Sequence, residues 1–163
     1  MKEERTNVLR ILDKLKIDYV VHSFDVDPEN YVGIDEESAP VKVGLPAERV
    51  YKTIVTRGKS GEHYVFMLPV NRELEAYIQE VIHKIEKNIE PLHLKELLPT
   101  TGYIRGGCSP IGMKKKFRTT AYYPVENLPT VVYSAGRPGL MTETKPCDLI
   151  RAADVKLGDI VKD

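Results

Sequence analysis

Residues 101–112 read Thr101-Gly102-Tyr103-Ile104-Arg105-Gly106-Gly107-Cys108-Ser109-Pro110-Ile111-Gly112. Four glycines and a proline in twelve positions do not build a regular element. Glycine permits positive φ and lets a ligand approach the main chain, so such a loop can turn its N–H groups toward an oxygen. An ordinary tight loop accounts for the spacing equally well. Neither G-x-G-x-x-G nor G-x-x-x-x-G-K-[ST] is present, so this is not a nucleotide fingerprint. Lys114, Lys115, Lys116 and Arg118 follow directly and, with Arg105, offer a cationic edge for a phosphate backbone. Taken alone, those charges read as a solvated run. Beside a glycine-rich loop in a chain of zero net charge, they shift the reading toward an anionic partner.

Two further stretches carry chemistry. In Tyr51-Lys52-Thr53-Ile54-Val55, strand alternation puts Lys52 on the face of Ile54 and opposite Tyr51, Thr53 and Val55. An ammonium in such a partly apolar place can bind a carbonyl oxygen or a phosphate, although on these residues alone a lysine snorkelling at a sheet edge is the favoured reading. In Tyr133-Ser134-Ala135-Gly136-Arg137-Pro138-Gly139-Leu140, a strand end runs into a turn where Ser134 can face a cleft, although a structural serine in a hairpin turn is favoured on these residues alone. No G-x-S-x-G or Ser-His-Asp signature accompanies it. His22, His63, His83 and His93 lack metal-ligand spacing, so no metal site is expected. Cys108 and Cys147 form no C-x-x-C and read as small buried hydrophobes.

The elements that must position these residues are mixed. Val8, Leu9, Ile11, Leu12 and Leu15 make an amphipathic helical stripe with Thr6 as N-cap. Residues 19–24 form a β-rich run, followed by an acidic loop to Ser38 that enters a short helix. Val50–Arg57 and His63–Val70 flank Gly58-Lys59-Ser60-Gly61-Glu62 as an antiparallel hairpin. Glu73–Ile85 has helical spacing, and Leu92–Leu98 makes a short helix that Pro99 closes. Strands are expected at 119–123, 130–134 and 139–143, with Gly136, Pro138 and Gly139 turning between the last two. Pro146 starts a helix to Ala153, and Val155–Val161 closes the chain as a strand. Helices and strands do not alternate strictly, which favours α+β over a doubly wound parallel sheet.

The chain has 163 residues, with 24 Lys+Arg against 24 Asp+Glu. That length suits one domain spanning 1–163, able to bury a core without a metal or disulfide staple. The charge balance excludes a strongly basic RNA-coating protein but not a local basic patch. A polar start with no apolar stretch behind it predicts no secretory leader. The longest apolar runs fall well short of a membrane span, so no membrane association and a cytoplasmic location are expected.

Taken together, these stretches resemble the YbaK/EbsC family of aminoacyl-tRNA deacylases, relatives of the editing domain inserted in bacterial prolyl-tRNA synthetases. The resemblance runs from the N-terminal helix through His22-Ser23-Phe24-Asp25-Val26-Asp27-Pro28, Val50-Tyr51-Lys52-Thr53-Ile54 and Thr101-Gly102-Tyr103. It continues along Gly106-Gly107-Cys108-Ser109-Pro110-Ile111-Gly112-Met113-Lys114-Lys115 to Ser134, Gly136, Gly139-Leu140 and Pro146–Ile150. It implies an α/β fold with a mixed, partly barrel-like sheet wrapped by helices. It also implies removal of cysteine from Cys-tRNA(Pro) and Cys-tRNA(Cys), without a cofactor. By that resemblance Lys52 is the essential lysine, Gly106 and Gly107 line the ester, and Ser134 stands in the substrate pocket. Phe24 replaces a family tyrosine and Met141 a family aspartate, which opens a second reading with another small amino acid on tRNA(Pro). A non-catalytic tRNA- or synthetase-binding regulator is the third. The family further implies that the substrate's own thiol attacks its carbonyl, and that tRNA(Pro) arrives through transient docking to prolyl-tRNA synthetase. Arg105, Lys114, Lys115, Lys116 and Arg118 would then meet the tRNA.

Overall fold

The computed structural model describes residues 5–26, 38–75 and 89–162. Helix α1 spans Asn7–Lys14 and is capped at Thr6, whose hydroxyl accepts from the Leu9 N–H at 3.3 Å. The same hydroxyl donates to Ala135 O at 2.6 Å, pinning the start of the helix to a strand 129 residues later. Val8, Leu9 and Leu12 are buried as the stripe predicts. Leu15 is half-exposed, because it falls at the C-cap where the chain turns away.

Eight strands form two sheets among the described residues. The first is antiparallel in the order β1 (Val20–Ser23), β7 (Leu140–Thr144), β6 (Val131–Arg137). The second runs β4 (Ile89–Pro91), β2 (Tyr51–Gly58), β3 (His63–Pro69), β5 (Arg118–Tyr122), β8 (Val155–Gly158). Its β2–β3 and β2–β4 pairs are antiparallel, whereas β3–β5 and β5–β8 are parallel. A parallel bridge between Val50 and Val132 joins the two sheets at the start of β2. This is the mixed α+β arrangement expected, although the described strands leave edges at both ends of each sheet and do not close a barrel. Helices α2 (Ser38–Val43), α3 (Leu94–Thr101) and α4 (Pro146–Ala153) complete the described elements, with short 3₁₀ turns at Ala47–Arg49 and Tyr123–Asn127.

The main core gathers α1, the inward faces of β2 and β6, and α4 through Val8, Leu12, Tyr51, Val55, Tyr133 and Leu149. Its tyrosines carry their polar ends to partners: Tyr133 Oη lies 3.1 Å from Thr144 Oγ1, and Tyr51 Oη donates to Tyr122 O at 3.5 Å. Burial raises both phenols far above their ordinary range, so they stay neutral packing groups.

Several boundaries depart from the sequence expectation. Pro99 sits inside α3 rather than ending it, and the helix stops at Gly102, which takes φ +89° and donates to Leu98 O at 2.8 Å. Pro99 deprives the Lys95 carbonyl of its i+4 donor, and both residues are exposed. Leu74 forms an antiparallel bridge with Val161 instead of opening a helix, while residues 76–85 of that expected helix lie outside the described residues, as does most of the acidic loop. Gly136 lies within β6 at a register shift between Ser134 and Arg137, leaving Pro138-Gly139 alone at the turn. Val155–Val161 is strand only to Gly158 before its closing bridge.

Candidate active site

The alternation of β2 and β6 separates two faces. Tyr51, Val55, Tyr133 and Ala135 go to the main core. Val50 and Val132 go to the opposite side, where they pack with Val70, Met141 and Ala39, flanked by Phe24, Val43, Leu45 and Ala47. Two residues beyond the Val50–Val132 bridge on either strand stand Lys52 and Ser134. A period of two therefore places them on this second face. Lys52 donates from Nζ to Val70 O at 3.3 Å, which holds the ammonium beside the apolar cluster.

Ser134 faces Met141 across the β6–β7 ladder, and Met141 faces His22 across the β1–β7 ladder. Ser134 is buried and accepts from the Gly136 N–H at 3.2 Å, so its hydroxyl helps shape the bulge and keeps its own proton to donate. Phe24 joins the cluster through its backbone N–H, which donates to Gly139 O at 2.8 Å, and the Lys42 ammonium lies 4.9 Å from its ring centre. Lys52, Ser134, Phe24 and Met141 thus lie on one side of the sheets, with Ser134 and Met141 buried there.

The glycine-rich loop meets this surface at the β6–β7 turn. Gly106 takes φ +83° in a turn closed by the Gly107 N–H donating to Ile104 O at 3.0 Å. That bond commits the Gly107 N–H within the loop, so this donor is not turned toward an outside oxygen as the glycine pattern suggests. Gly107 is required for a different reason: a β-carbon there would lie 2.7 Å from the Arg137 α-carbon and 2.9 Å from Pro138 Cδ. Tyr103 reaches across the loop to donate to Ile111 O, and burial raises its phenol to about 12. Cys108 is buried beneath the loop, and desolvation pushes its thiol to about 12 against an opposing hydrogen bond with Thr101. It is an inert packing group. Cys147 is exposed, not buried as expected, because Pro146 and Leu149 take the inward positions of α4.

The basic residues are dispersed rather than massed at this surface. Arg105 is exposed on the Ile104–Gly107 turn, and Lys114 lays its stem over Gly102. Lys115 and Lys116 line a separate cleft against α4, and Arg118 opens β5 opposite Tyr64.

A polar cluster that sequence reasoning did not find lies on the site face. Glu143, two residues past Met141 on β7, lies opposite both Val20 and Val132. Its carboxylate accepts from His22 Nε2 at 2.8 Å and from Thr130 Oγ1, and Arg49 Nη2 stands 3.6 Å away. Burial would raise this carboxyl, but the Thr130 and His22 hydrogen bonds and the nearby His22 and Arg49 charges outweigh it and hold Glu143 below the ordinary carboxylate range. Because an ionised carboxylate only accepts, His22 Nε2 carries the proton. Arg49 also donates to Thr130 O at 3.2 Å. Positions 22, 49, 130 and 143 show no local spacing; the register of β1, β6 and β7 and the placement of the Ala47–Arg49 turn assemble them. Among the described residues, no group of three or more His, Cys, Asp or Glu side chains is arranged to hold a metal ion.

Comparison with known proteins gives this arrangement a context. Residues 35–152 match the family described as the aminoacyl-tRNA editing domain. The Enterococcus faecalis protein EbsC, provisionally named a Cys-tRNA(Pro)/Cys-tRNA(Cys) deacylase, is 33% identical over 160 residues, covering 97% of this chain and 94% of its own. Among solved structures, the hypothetical protein APE2540 aligns with a TM-score of 0.81 at 16% identity, over 95% of this chain and 99% of its own. A protein described, also provisionally, as a trans-editing enzyme for prolyl-tRNA synthetase aligns with a TM-score of 0.78 at 16% identity, over 98% of this chain and all of its own. The likeness to these two structures is one of fold.

Proposed function

This chain belongs to the aminoacyl-tRNA editing domain family, and from that premise we propose that it is a trans-editing deacylase that removes cysteine from Cys-tRNA(Pro) and Cys-tRNA(Cys). The observation that carries the reading is the Lys52 ammonium, held at Val70 O on the sheet face that also presents Ser134 and Met141.

An aminoacyl ester is already activated, so the protein need only position it and stabilise the oxygen that gains charge. Lys52 supplies a fixed positive charge for that oxygen. The Ser134 hydroxyl and the Gly106–Gly107 main chain border the ester, and Phe24 and Met141 enclose the side chain it carries. An apolar wall suits a thiol better than an ammonium or a carboxylate, because burying an unpaired charge is costly. The cysteine sulfur attacks its own ester carbonyl. A carbon–sulfur bond forms as the carbon–oxygen bond to the ribose breaks, and the thiol proton leaves with the ribose hydroxyl. The product is a four-membered thiolactone, and no protein nucleophile is consumed.

Arg105, Lys114, Lys115, Lys116 and Arg118 address the tRNA. So few cations on a neutral domain give modest affinity, so delivery of tRNA(Pro) by transient contact with prolyl-tRNA synthetase in the cytoplasm completes the reading. Among the described residues no helix is long and apolar enough to cross a membrane.

The test is deacylation of Cys-, Ser-, Ala- and Pro-tRNA(Pro), with mass identification of the released amino-acid product. Rapid release from the Cys ester alone, through a thiolactone, supports the proposal. Equal rates on Ser and Cys esters reject the thiol's role, and no release from any ester rejects the deacylase.

A further inference from the structure

A cleft of about 320 Å³ lies between residues 110–119 and the C-terminal turn of α4, and its lining shares no residue with the Lys52 face. Its lining includes the side chains of Lys115, Lys116 and Arg151, with Asp154 as the one carboxylate. These cations come from two segments more than thirty residues apart, so their convergence is a product of the fold and not of a local charge run. We propose that this cleft is an RNA-phosphate subsite in which Arg151 binds beside Lys115 and Lys116, an inference that rests on the deacylase reading.

Three features favour a nucleic-acid strand. Lys115, Lys116 and Arg151 are all exposed, and Lys156 adds a further positive charge near Asp154. The floor carries Met113, Phe117, Ala152 and Ala153, an apolar surface against which a ribose or base can lie between phosphate contacts. The wall is also continuous with the catalytic loop: Pro110 lines the cleft only three residues after Gly107. Eight residues separate Gly107 from Lys115, so their α-carbons are at most about 28 Å apart. A few nucleotides of single strand cover such a distance.

The cations have occupations that a strand must share or replace. Lys116 Nζ pairs with Asp154 Oδ2 at 2.7 Å, and that hydrogen bond and charge hold the Asp154 carboxyl below its ordinary range. Arg151 donates from Nη2 to Leu15 O at 3.3 Å and stands 3.8 Å from Asp148. A guanidinium has five N–H donors, so the Leu15 contact orients Arg151 without exhausting it. Asp154 is therefore a built-in competitor for the phosphate, and removing its charge releases Lys116 to the RNA.

That competition allows a test in both directions. Binding of an uncharged tRNA transcript is measured across a salt series for wild type, the K115E/R151E double variant and Asp154→Asn. Asparagine tolerates the left-handed φ of +51° at position 154, so helix α4 keeps its C-cap. The expected outcome is weaker binding for K115E/R151E, with a log K against log salt slope shallower by about 1.4, since each single-strand phosphate contact carries about 0.7. For Asp154→Asn the expected outcome is tighter binding and a slope steeper by about 0.7. A gain of affinity cannot come from misfolding, which protects the result against an unstable double variant. The inference is overturned if wild type binds no tRNA, if either variant keeps the wild-type affinity and slope, or if Asp154→Asn binds more weakly. Cleavage of the Cys ester by wild type is read separately. Retained cleavage with unshifted slopes removes this subsite and leaves the deacylase standing.

Discussion

Gly107 lies so close to Arg137 that a β-carbon on the glycine would stand 2.7 Å from the arginine α-carbon. Main chain is in contact with main chain, and no flexible side chain can yield. Gly107→Ala must therefore displace either the loop or the β6–β7 turn. We expect a loss of about 1–3 kcal/mol in urea unfolding, typical of overpacking, together with a loss of deacylation larger than the stability change alone would cause. Wild-type stability and activity in Gly107→Ala would contradict the contact.

Lys52 is held by Val70 O and flanked by apolar groups. Lys52→Met keeps the stem and deletes the charge. Deacylation is expected to fall by about 10²–10³, the usual cost of removing one oxyanion donor, while unfolding stays cooperative. Lys52→Arg is expected not to restore the rate, because a planar fork does not reproduce a compact ammonium. Single-turnover rates on Cys-tRNA(Pro) decide both points.

Glu143 titrates below the ordinary carboxylate value of 4.5 in the folded chain. A group with a depressed folded pKa contributes stability above its unfolded pKa and loses it as pH falls through the folded value. Wild type should accordingly exceed Glu143→Gln in stability at neutral pH, and the gap should close on acidification below 4.5. Thermal unfolding of the two proteins across that range checks the sign. A gap that widens in acid would show that the His22–Thr130–Arg49 cluster does not hold this carboxylate charged.

Cys108 and Cys147 should differ in reactivity. Burial raises the Cys108 thiol to about 12, whereas Cys147 is exposed. Ellman's reagent at mildly alkaline pH should therefore titrate one thiol in the folded protein and two after denaturation. Labelling of Cys108 in the folded state would mean that the glycine loop opens.

Local features were the most legible in the sequence. Thr6 capping, the hairpin about Gly58–Gly61 and the Pro146 start of α4 depend on neighbours a few residues away, and side-chain type alone announces them. Alternation likewise separated Tyr51 and Val55, in the main core, from Ile54, which packs in another cluster, because a period of two survives any choice of partner strand. Pro99 misled because a proline's effect depends on whether its turn faces solvent, which sequence does not state. The Gly107 donor misled because a turn bond to Ile104 O depends on the dihedral angles of the loop. The Glu143 cluster and the cleft at Arg151 were invisible: each unites residues whose proximity exists only after strand order and helix docking are settled.

The Pro138-Gly139 turn is gripped from two sides, by the Phe24 N–H on Gly139 O and by Gly107 against Arg137 and Pro138. One corner of the chain thus serves as a shared keystone for the Phe24 segment and the Gly107 loop. If the proposed roles hold, selectivity and turnover are mechanically yoked there, and an evolutionary path that retunes one through this corner must disturb the other.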